Sequence, residues 1–566
     1  MSALNILIGG ESFRRLREEQ CYYVDKTDLL EEFLSQTPPM VSLITRPRRF
    51  GKTLTMSMLR EFFDIRKDSR EIFEGLKVAR NKELCDEWMN KHPVFYISLK
   101  RVEGLSFAEA LAGFRELISL QSSEYTYLLQ SIELSESEKD ALHSLFSGTN
   151  DKTLLESSLQ RISVALQNHW KKPVILLIDE YDVPLACAQQ NGYYHEMVSF
   201  IRNMLGAALK TNEALQFAIL TGCLRIAKES IFTGLNNFAC YSISDAEFDD
   251  KFGFTESEVD ALLEAGNLSK RKDELKEWYD GYRFGNGTEI YCPWDVLMHV
   301  SKLQKNAEAK PQAYWNNTSG NAIVRSFIGR TDLNIGEKFE TLINGGCVET
   351  KIVESLTYDS LHSSEENLWS LLYLTGYLTK ASEEQIEDCG RLVDEDKTFL
   401  VIPNKEVRKI FTESIASWFT DSMLEMDRRP LFDAFWNGDA DKLSRLVSRI
   451  LLNTISYHDY KEDFYHAVLT GIFVGSGYAV TSNRESGRGR ADIIVKDQRN
   501  SRSAIIEVKH ASASAELSPL AEAALQQIEE KEYDAPLRDN YETVIHWGMA
   551  FFEKRCIAKF NAAISQ

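Results

Sequence analysis

The sequence predicts an α/β protein with a parallel sheet in its N-terminal part, a mostly helical middle region and a small α/β unit at its C-terminal end. Residues 174–178 (VILLI) form an unbroken aliphatic run, typical of a parallel strand covered on both faces. Strand-like runs alternate with helical segments over residues 1–250, residues 251–455 are acidic and mostly helical, and residues 456–566 regain a strand-rich pattern. We therefore predict three domains with boundaries at these two changes.

The individual elements follow from hydrophobic periodicity. In the N-terminal part, predicted strands at 41–45, 174–178 and 215–220 each precede a loop or helix. In the middle region we predict helices over 255–280 and 405–426 and short strands near 374–379 and 398–402. In the C-terminal part we predict a helix over 461–475, strands over 478–482, 491–496 and 504–509, and a helix over 519–532.

Composition excludes several classes of protein. The 566 residues are 43% hydrophobic, which suffices for several buried cores and argues against wholesale disorder. Lys and Arg number 65 against 85 Asp and Glu, a net charge of −20, so the whole surface does not suit nucleic acid or an anionic membrane. One basic cleft on an acidic body remains compatible with that charge.

The same survey indicates a cytoplasmic protein without a membrane partner. The nine cysteines are scattered without a CxxC pair, and residues 1–16 lack the basic-then-apolar layout of a signal peptide. No apolar run approaches the ~18 residues that a membrane-spanning helix needs.

Residues 46–53 (RPRRFGKT) form a candidate phosphate-binding loop between a strand and a helix. In such loops backbone N–H groups and a helix N-terminus cradle phosphates, the Lys reaches the β- and γ-phosphates, and the Thr binds Mg²⁺. Gly51, Lys52 and Thr53 fill these positions, but Arg46 stands where the pattern GxxxxGK[ST] has its first glycine. On the pattern alone, a surface loop without a ligand is an equally good interpretation.

Acidic residues at the end of the second strand strengthen the nucleotide hypothesis. Asp179 and Glu180 close the 174–178 run, where an Asp can hold the Mg²⁺ shell and a Glu can polarise water. Thr221 ends the third strand and is placed to sense the γ-phosphate. Arg225 could stabilise the transferred charge either within its own chain or toward a neighbouring subunit, so a homo-oligomer stays open. An acidic pair can also simply end a strand, yet both motifs together favour an ATPase.

Five segments between residues 5 and 350 form recognisable motifs: 23–27 (YVDKT), 46–53 (RPRRFGKT), 220–222 (LTG), 278–282 (WYDGY) and 314–321 (YWNNTSGN). Over roughly residues 5–350 they resemble the bacterial and archaeal AAA-ATPase-like family. The leading glycine is commonly absent in that family. The resemblance implies a P-loop core and ATP binding, with Arg49, Phe50 and Gly51 in the nucleotide loop, and a prokaryotic setting. The roles of Asp25 and Lys26 stay open, and one role considered for them is to position the nucleotide.

A second candidate site lies near the C-terminus, in residues 489–495 (GRADIIV) and 504–509 (AIIEVK). Two carboxylates on adjacent strands, Asp492 and Glu507, could hold divalent ions that activate water and neutralise charge at a scissile phosphate. Strand alternation puts Glu507 and Lys509 on one face, so the ammonium could orient water or stabilise the phosphate. Taken alone, an ExK tripeptide is usually a solvated Glu–Lys pair.

This constellation resembles the PD-(D/E)xK nuclease superfamily, and in particular the domain that often follows the AAA-ATPase-like family. Further matches lie at 465–466 (YH), 482–490 (SNRESGRGR) and 524–528 (ALQQI), whereas Ala491 replaces the variable proline. Glu462 could be an extra metal ligand and His466 a phosphate or structural contact. Half-buried helix packing is the alternative for both.

The leading hypothesis is an ATP-binding protein that regulates or powers a Mg²⁺- or Mn²⁺-dependent nuclease acting on DNA. Residues 476–510 carry seven basic and four acidic residues, which suits a phosphate-backbone track with weak or no sequence specificity. Family resemblance implies genome defence or mobile-element biology. The alternatives are an ATP-dependent switch that binds nucleic acid or a protein partner without cutting, and an ATPase whose C-terminal domain is purely structural.

Overall fold

The computed structural model describes residues 4–210, 212–225, 232, 237–315, 335–343, 345–354, 356, 363–391, 397–411, 429–452, 465–466, 469–470, 472–473, 478–486 and 489–564. The chain divides into two compact units. The first unit comprises residues 1–316 and 347–409, and the second comprises residues 317–346 and 410–566. The two units are defined by proximity in space and not by chain order. They therefore do not test the domain boundaries predicted at residues 250 and 455, which stay predictions.

A five-stranded parallel sheet forms the centre of the first unit. Its strands are β1 (Val41–Thr45), β2 (Val94–Ser98), β3 (Val174–Asp179), β4 (Leu215–Gly222) and β5 (Phe238–Tyr241), in the order β2-β3-β4-β1-β5. β1, β3 and β4 confirm the predicted strands, and β2 and β5 are additional. β4 lies between β1 and β3, so the carboxyl ends of all three meet at one edge.

Helices make up most of the other regular secondary structure in the described residues. They are α1 (Phe13–Glu18), α2 (Asp28–Leu34), α3 (Lys52–Phe63), α4 (Arg70–Phe73), α5 (Lys82–Trp88), α6 (Phe107–Gln121), α7 (Glu136–Phe146), α8 (Lys152–Glu156), α9 (Ser158–Trp170), α10 (Val183–Asn191), α11 (Tyr194–Leu209), α12 (Glu256–Ala265), α13 (Lys272–Tyr279), α14 (Pro293–Lys305), α15 (Ile335–Ile343), α16 (Glu365–Leu374), α17 (Glu383–Asp388), α18 (Arg429–Trp436), α19 (Ala440–Leu452), α20 (Leu517–Glu530) and α21 (Ala535–Arg538). α15 and α18–α21 belong to the second unit.

Apolar faces and local caps explain these helices. α3 buries Met56, Leu59 and Phe62 against the sheet, in one cluster with Ile175 and Ile219. α7 and α12 each begin with a capping box, in which a Ser or Thr and a Glu three residues later satisfy each other's backbone N–H groups. Most of each helix's stability comes from the buried face, since isolated helices of this length are marginal.

The middle region contains small sheets besides its helices. β6 (Tyr282–Phe284) and β7 (Thr288–Ile290) form a hairpin, and β8 (Val348–Thr350), β9 (Thr379–Lys380) and β10 (Thr398–Val401) form a sheet in the order β8-β10-β9. β10 confirms the strand predicted near 398–402. The strand predicted near 374–379 is wrong for most of its length, because α16 ends at Leu374 and Gly376 turns the chain with φ +86°.

The predicted helices of this region are only partly continuous. Residues 255–280 form two helices, α12 and α13, separated by a break after Gly266. Residues 405–411 are helical, and the rest of the helix predicted to 426 lies outside the described residues.

The second unit contains a mixed five-stranded sheet. Its strands are β11 (Ala479–Ser486), β12 (Gly489–Asp497), β13 (Arg502–His510), β14 (Thr543–Phe552) and β15 (Arg555–Ile564), which are neighbours in chain order. β13 and β14 are parallel and the other pairs antiparallel. β11–β13 and α20 confirm their predictions, whereas β14 and β15 are additional. The described positions of the helix predicted over 461–475 are helical.

The core of the second unit lies between this sheet and α18 and α19. The buried Trp547 of β14 stacks on Phe435 of α18, with ring centroids 5.6 Å apart. Across the described part of the chain, no helix has both the length and the apolar character needed to cross a membrane. The observed layers agree with the predicted fold class, a parallel α/β core followed by a smaller α/β domain.

Candidate functional site

The loop at residues 46–51 connects β1 to α3 at the carboxyl edge of the parallel sheet. Arg49 and Gly51 both have left-handed backbone conformations, with φ +69° and +85°. A Cβ added at Gly51 would meet no atom within 4 Å, so conformation rather than crowding explains this glycine. The loop therefore leads into a helix N-terminus whose backbone N–H groups suit a phosphate.

Lys52, the first residue of α3, is buried and directed into this loop. Its Nζ donates to the carbonyl oxygens of Arg46 (3.2 Å) and Pro47 (3.1 Å) and lies 3.6 Å from Glu180 Oε1. Burial lowers the pKa of Lys52, but the surrounding acidic groups outweigh it and the pKa lies above its ordinary value. The side chain is thus a held, charged ammonium beside the predicted phosphate position.

Asp179, at the end of β3, lies at the centre of a hydroxyl cluster. Its Oδ2 accepts from Thr53 Oγ1 (2.8 Å) and more weakly from Ser98 Oγ (3.4 Å), and its Oδ1 accepts from Thr221 Oγ1 (2.5 Å). Burial and the neighbouring Glu180 raise the pKa of Asp179 despite these bonds. The structure brings together the three residues predicted at strand or helix ends, and it adds Ser98, which ends the apolar run of β2.

Glu180 and Arg225 occupy different surroundings. Glu180 has φ +54°, its N–H donates to Thr221 Oγ1 (3.4 Å), and its carboxylate faces Lys52. Arg225 lies beside β5, with its guanidinium carbon 6.0 Å from the ring centroid of Phe238. Within the described residues the structure therefore joins Glu180 to the cluster, while Arg225 neighbours β5 rather than Asp179.

Two loop residues predicted to bind nucleotide contact the middle region instead. Arg49 Nη1 donates to the carbonyl oxygen of Tyr314 (2.6 Å), and its guanidinium lies 4.5 Å from the ring centroid of Trp294. The buried Phe50 packs edge-on against Tyr282, with ring centroids 5.1 Å apart. Both side chains are therefore engaged with the middle region, and their predicted part in nucleotide binding stays a prediction.

Arg46 explains why the first glycine of the usual loop pattern is missing. Its buried guanidinium donates to the carbonyl oxygens of Thr45 (2.8 Å), Tyr241 (2.8 Å) and Phe248 (2.9 Å). Burial lowers the pKa of Arg46 to about 10. The side chain therefore ties the start of the loop to β5 and the segment after it.

Asp25 and Lys26, whose roles the sequence left open, make internal bonds. Asp25 accepts from the backbone and hydroxyl of Thr27 and from the backbone N–H of Lys77. Lys26 Nζ donates to Glu258 Oε2 of α12 (2.6 Å) and to the carbonyl oxygen of Asp250 (2.6 Å). These contacts join the N-terminal segment to α12.

The second candidate site lies on β12 and β13. Asp492 and Glu507 lie one step beyond the paired residues Ile493 and Ile506, so their carboxylates face each other across the two strands. Asp492 Oδ2 accepts from the backbone N–H of Val508 (2.9 Å). Lys509 Nζ donates to Glu507 Oε1 (3.1 Å), as strand alternation predicts. The structure brings all three predicted residues together.

Glu507 is the most constrained member of this group. Its side chain is buried, Gln527 Nε2 of α20 donates to Oε1, and Oε2 has no hydrogen-bond partner among the described residues. Burial and the nearby Asp492 raise the pKa of Glu507 to about 7. A buried carboxylate oxygen without a partner is costly, and a divalent cation would satisfy it. Asp492 and Glu507 therefore offer two carboxylates, which are the hard oxygen ligands that a divalent ion such as Mg²⁺ prefers.

The metal-ligand set within the described residues is small. No group of three or more His, Cys, Asp or Glu side chains among them could hold a metal ion, and Glu462 lies outside the described residues. His466 Nε2 lies 2.8 Å from the backbone carbonyl oxygen of Asp492, a structural contact in which the ring donates. His466 thus supports β12 at Asp492.

Helix α20 approaches the sheet closely beside this site. Gly548 of β14 pairs with Glu507, and a Cβ there would lie 2.1 Å from the carbonyl oxygen of Ala521 and 2.6 Å from the backbone N of Leu525. This close approach brings the Gln527 side chain within hydrogen-bond distance of the Glu507 carboxylate. Sequence analysis noted Gln527 only through the resemblance, because its partner is fixed by helix placement.

The predicted basic track is only partly described. Arg502 Nε donates to Asp497 Oδ2 (2.8 Å), and its guanidinium lies 4.2 Å from the ring centroid of Trp436, so this residue is engaged in packing. The side chains of Arg484, Arg488 and Arg490 lie outside the description. The track therefore stays a prediction.

Comparison with known families matches two separate parts of the chain. Residues 7–232 match the AAA-ATPase-like family described as "Predicted AAA-ATPase", and residues 460–561 match the PD-(D/E)XK nuclease superfamily. The chain thus combines an AAA-ATPase-like domain with a PD-(D/E)XK nuclease superfamily domain. It is also 25% identical to a protein of Azotobacter chroococcum mcd 1, an "Uncharacterized protein in vnfD 5'region", over 97% of each chain. That likeness includes both matched regions and the segment between them.

Proposed function

We propose that this protein binds and hydrolyses ATP in its N-terminal domain and thereby regulates or powers a C-terminal, divalent-metal-dependent nuclease that cleaves DNA in the cytoplasm. The proposal includes Mg²⁺ or Mn²⁺ as cofactor and weak or no sequence preference. A role in prokaryotic genome defence or mobile-element biology belongs to the same proposal. The two domain matches support the classes of both activities.

The observation that carries the nuclease part is the buried Oε2 of Glu507, which has no hydrogen-bond partner among the described residues and faces Asp492. A solvated Glu–Lys pair, the plain alternative for an ExK tripeptide, would leave the carboxylate exposed. Glu507 is instead 1% exposed and held from two sides by Lys509 and Gln527. Such a group needs a cation or a proton, and Asp492 supplies the second carboxylate ligand.

Each residue of the C-terminal site then has a chemical task. Asp492 and Glu507 would hold the divalent ion, which activates water and neutralises charge on the scissile phosphate. Lys509 is placed to orient water or to stabilise the negative charge that grows on the phosphate. Gln527 fixes the Glu507 carboxylate by donating to Oε1. Glu462 stays a proposed additional ligand.

The N-terminal site has a corresponding division of tasks. Lys52 would contact the β- and γ-phosphates, and Thr53 with Asp179 would hold the nucleotide's Mg²⁺. Glu180 would polarise the attacking water, and Thr221 would sense the γ-phosphate through its bond to Asp179. Arg225, in the turn after β4, is proposed to stabilise the charge on the transferred phosphate. It would do so either in the site of its own chain or in the site of a neighbouring subunit of a homo-oligomer.

The direct test is a cleavage assay on plasmid and single-stranded DNA and on RNA, with Mg²⁺ or Mn²⁺ and with or without ATP. Wild type would be compared with Asp492→Asn, Glu507→Gln and Lys52→Ala. The matched control is Glu530→Gln, which removes the charge of an exposed carboxylate at the end of α20. We expect cleavage to be lost in the first two variants, retained in the control, and altered in its ATP response in Lys52→Ala.

Intact DNA and RNA under every condition would contradict the nuclease part. Equal cleavage by wild type and Asp492→Asn would point to a contaminating nuclease. An ATP response unchanged in Lys52→Ala would contradict nucleotide control while leaving the nuclease itself standing.

A second candidate function is an ATP-dependent switch whose C-terminal domain binds nucleic acid or a protein partner without cleavage. The specific observation in its favour is that Asp492 and Glu507 have no third His, Cys or acidic ligand within the described residues. This function predicts DNA binding by filter or fluorescence assay that Asp492→Ala leaves unchanged, together with no cleavage product.

A further inference from the structure

Asp182, an acidic residue that follows Glu180 closely, has no role in the proposed ATPase chemistry. It lies just before α10 and is buried. Its Oδ2 accepts from the backbone N–H groups of Cys223 (2.9 Å) and Leu224 (3.1 Å). Asp182 therefore holds the turn that follows β4, 41 residues along the chain.

The neighbouring Tyr181 contacts the same turn from the other side. Its N–H donates to the carbonyl oxygen of Thr221 (3.0 Å), and its buried hydroxyl donates to the carbonyl oxygen of Leu224 (2.7 Å). Together with the two bonds to Asp182, these join the ends of β3 and β4 directly beyond the Asp179–Thr221 pair. The turn thus has little freedom while Asp182 is in place.

Gly222 permits this close arrangement. A Cβ at this position would lie 2.7 Å from Asp182 Oδ1 and 2.7 Å from a ring carbon of Tyr181. Any larger residue would push the turn away from both side chains. The Thr-Gly pair at the end of β4 therefore serves two tasks, a hydroxyl for Asp179 and space for Asp182.

The held turn reaches the nucleotide loop at one end and Arg225 at the other. Cys223 Sγ lies 3.7 Å from Lys52 Nζ, and Arg225 follows Leu224 directly. Asp182 Oδ1 is buried without a hydrogen-bond partner among the described residues. Burial and the neighbouring Glu180 raise the pKa of Asp182 to about 6, although the N–H groups of the turn and the charge of Lys52 act in the opposite direction. The Asp182 carboxylate is therefore buried against the turn and bonded to its backbone.

We infer that Asp182 is a positioning residue of the ATPase site, fixing the Cys223–Arg225 turn relative to Lys52 and to the Asp179–Thr221 pair. Loss of these bonds would leave the Lys52 and Thr53 side chains in place but release the turn that carries Arg225. Misplacement by about 1 Å can cost on the order of 10²-fold in rate. This inference rests on the proposed ATPase function and adds a residue to it.

The test compares Asp182→Ala with Asp182→Asn in the full chain. The Asn side-chain oxygen can still accept both backbone N–H bonds, whereas Ala removes them. We expect Asp182→Ala to lower ATPase kcat on the order of 10²-fold, with the Kd of a fluorescent ATP analogue within about twofold of wild type. Asp182→Asn should restore most of kcat, which a requirement for negative charge would not allow.

A double-mutant cycle with Arg225→Ala separates positioning from a general structural role. If Asp182 acts through the turn, the losses in kcat from Asp182→Ala and Arg225→Ala will be less than additive, whereas independent structural damage gives additive losses. Wild-type kcat in Asp182→Ala, equal losses in the Ala and Asn variants, or additivity would each overturn the inference alone. A wild-type protein without ATPase activity would overturn the proposed ATPase and this inference together.

Discussion

The hydroxyl of Thr53, at the start of α3, donates a 2.8 Å hydrogen bond to Asp179 Oδ2 at the end of β3, although 126 residues separate the two in the chain. This bond joins the two halves of the candidate nucleotide site. It also orients the Asp179 carboxylate, because Thr221 holds the other oxygen. The Thr53 and Thr221 hydroxyls therefore hold the Asp179 carboxylate where the proposed Mg²⁺–nucleotide binding requires it.

Thr53→Ala should weaken binding of ATP in the presence of Mg²⁺ by roughly tenfold, since a hydrogen bond to a charged group contributes about 1.5–3 kcal/mol. Thr53→Ser keeps the hydroxyl and is the matched control. Titration with a fluorescent ATP analogue, with and without Mg²⁺, measures the effect. Equal weakening in the Ser variant, or weakening that does not depend on Mg²⁺, would argue against a metal role for Thr53.

Restoring the usual glycine at the start of the loop should harm this protein. Arg46→Gly would leave three buried carbonyl oxygens without their guanidinium donor and lower the free energy of unfolding by roughly 3 kcal/mol. Arg46→Lys should recover only part of that loss, because an ammonium lacks the planar fork of donors. Urea denaturation followed by circular dichroism measures both. Unchanged stability with tighter ATP binding in Arg46→Gly would contradict the role assigned to this arginine.

Mn²⁺ should stabilise the C-terminal domain through Glu507. At about 100 times its Kd, a bound ion adds about 2.7 kcal/mol to the free energy of unfolding. Thermal unfolding should show this shift in wild type and in Glu530→Gln, and EDTA should reverse it. Glu507→Gln should show no shift, because the amide cannot replace the buried carboxylate. If Mn²⁺ shifted the thermal unfolding of Glu507→Gln as much as that of wild type, the ion would bind at another site.

Gly548→Ala should destabilise the protein and impair cleavage together. The new Cβ would overlap the backbone of α20 at Ala521 and Leu525, and overpacking of this kind costs about 1–3 kcal/mol. Displacement of α20 would also withdraw Gln527 from Glu507. Gly206→Ala in α11, where a Cβ meets nothing within 4 Å, is the control and should gain up to about 1 kcal/mol. Urea denaturation and the cleavage assay are the measurements.

Two buried carboxyl groups of the first unit should make stability depend on pH. Burial raises the pKa of Asp295 to about 6, although a hydrogen bond with Glu406 acts in the opposite direction. Burial and the charge of Asp295 raise the pKa of Glu406 from its ordinary 4.5 to about 10. Because the folded-state pKa is raised, the protonated pair's contribution is complete below the ordinary pKa and is lost as pH rises toward the folded value. Glu406 also accepts the backbone N–H of Trp315 (2.7 Å).

Glu406→Gln should therefore flatten the decline of urea midpoint with pH between about pH 5 and 8, since the amide stays neutral and can still accept from Trp315. The matched control is Glu264→Gln on the exposed face of α12, which should keep the wild-type slope. A slope that is unchanged in Glu406→Gln would mean that other groups cause the pH dependence.

The sequence predicted the parts of each site that depend on chain order and side-chain alternation. Lys52, Thr53, Asp179 and Thr221 each end or begin a predicted element, and parallel strands bring such ends to one sheet edge. Strand alternation placed Glu507 and Lys509 on one face, and Asp492 was added from the adjacent strand and from the resemblance to the PD-(D/E)xK superfamily. The strand β14 was missed although residues 543–552 include an apolar run typical of a buried strand.

Residues whose partners lie on distant elements could not be assigned from the sequence. Arg49 and Phe50 share a motif with Lys52, yet their side chains bind Tyr314 and Tyr282 of the middle region. The sequence assigned no role to Asp182, and only the placement of β4 shows which backbone it holds. A shared motif indicates that a residue lies near the site. The direction of its side chain depends on how the elements pack.

The sequence by itself determined the α/β class, the two candidate sites and most of the side chains that could do their chemistry, because element order and hydrophobic period are local properties of the chain. Only the tertiary structure decided that Arg46 is a buried anchor, that Glu507 Oε2 is buried with no hydrogen-bond partner in the described part of the chain, and that Asp182 holds the turn before Arg225. Each of these depends on burial and on contacts between residues far apart in sequence. Such contacts form only when the elements pack, and a linear pattern does not record them.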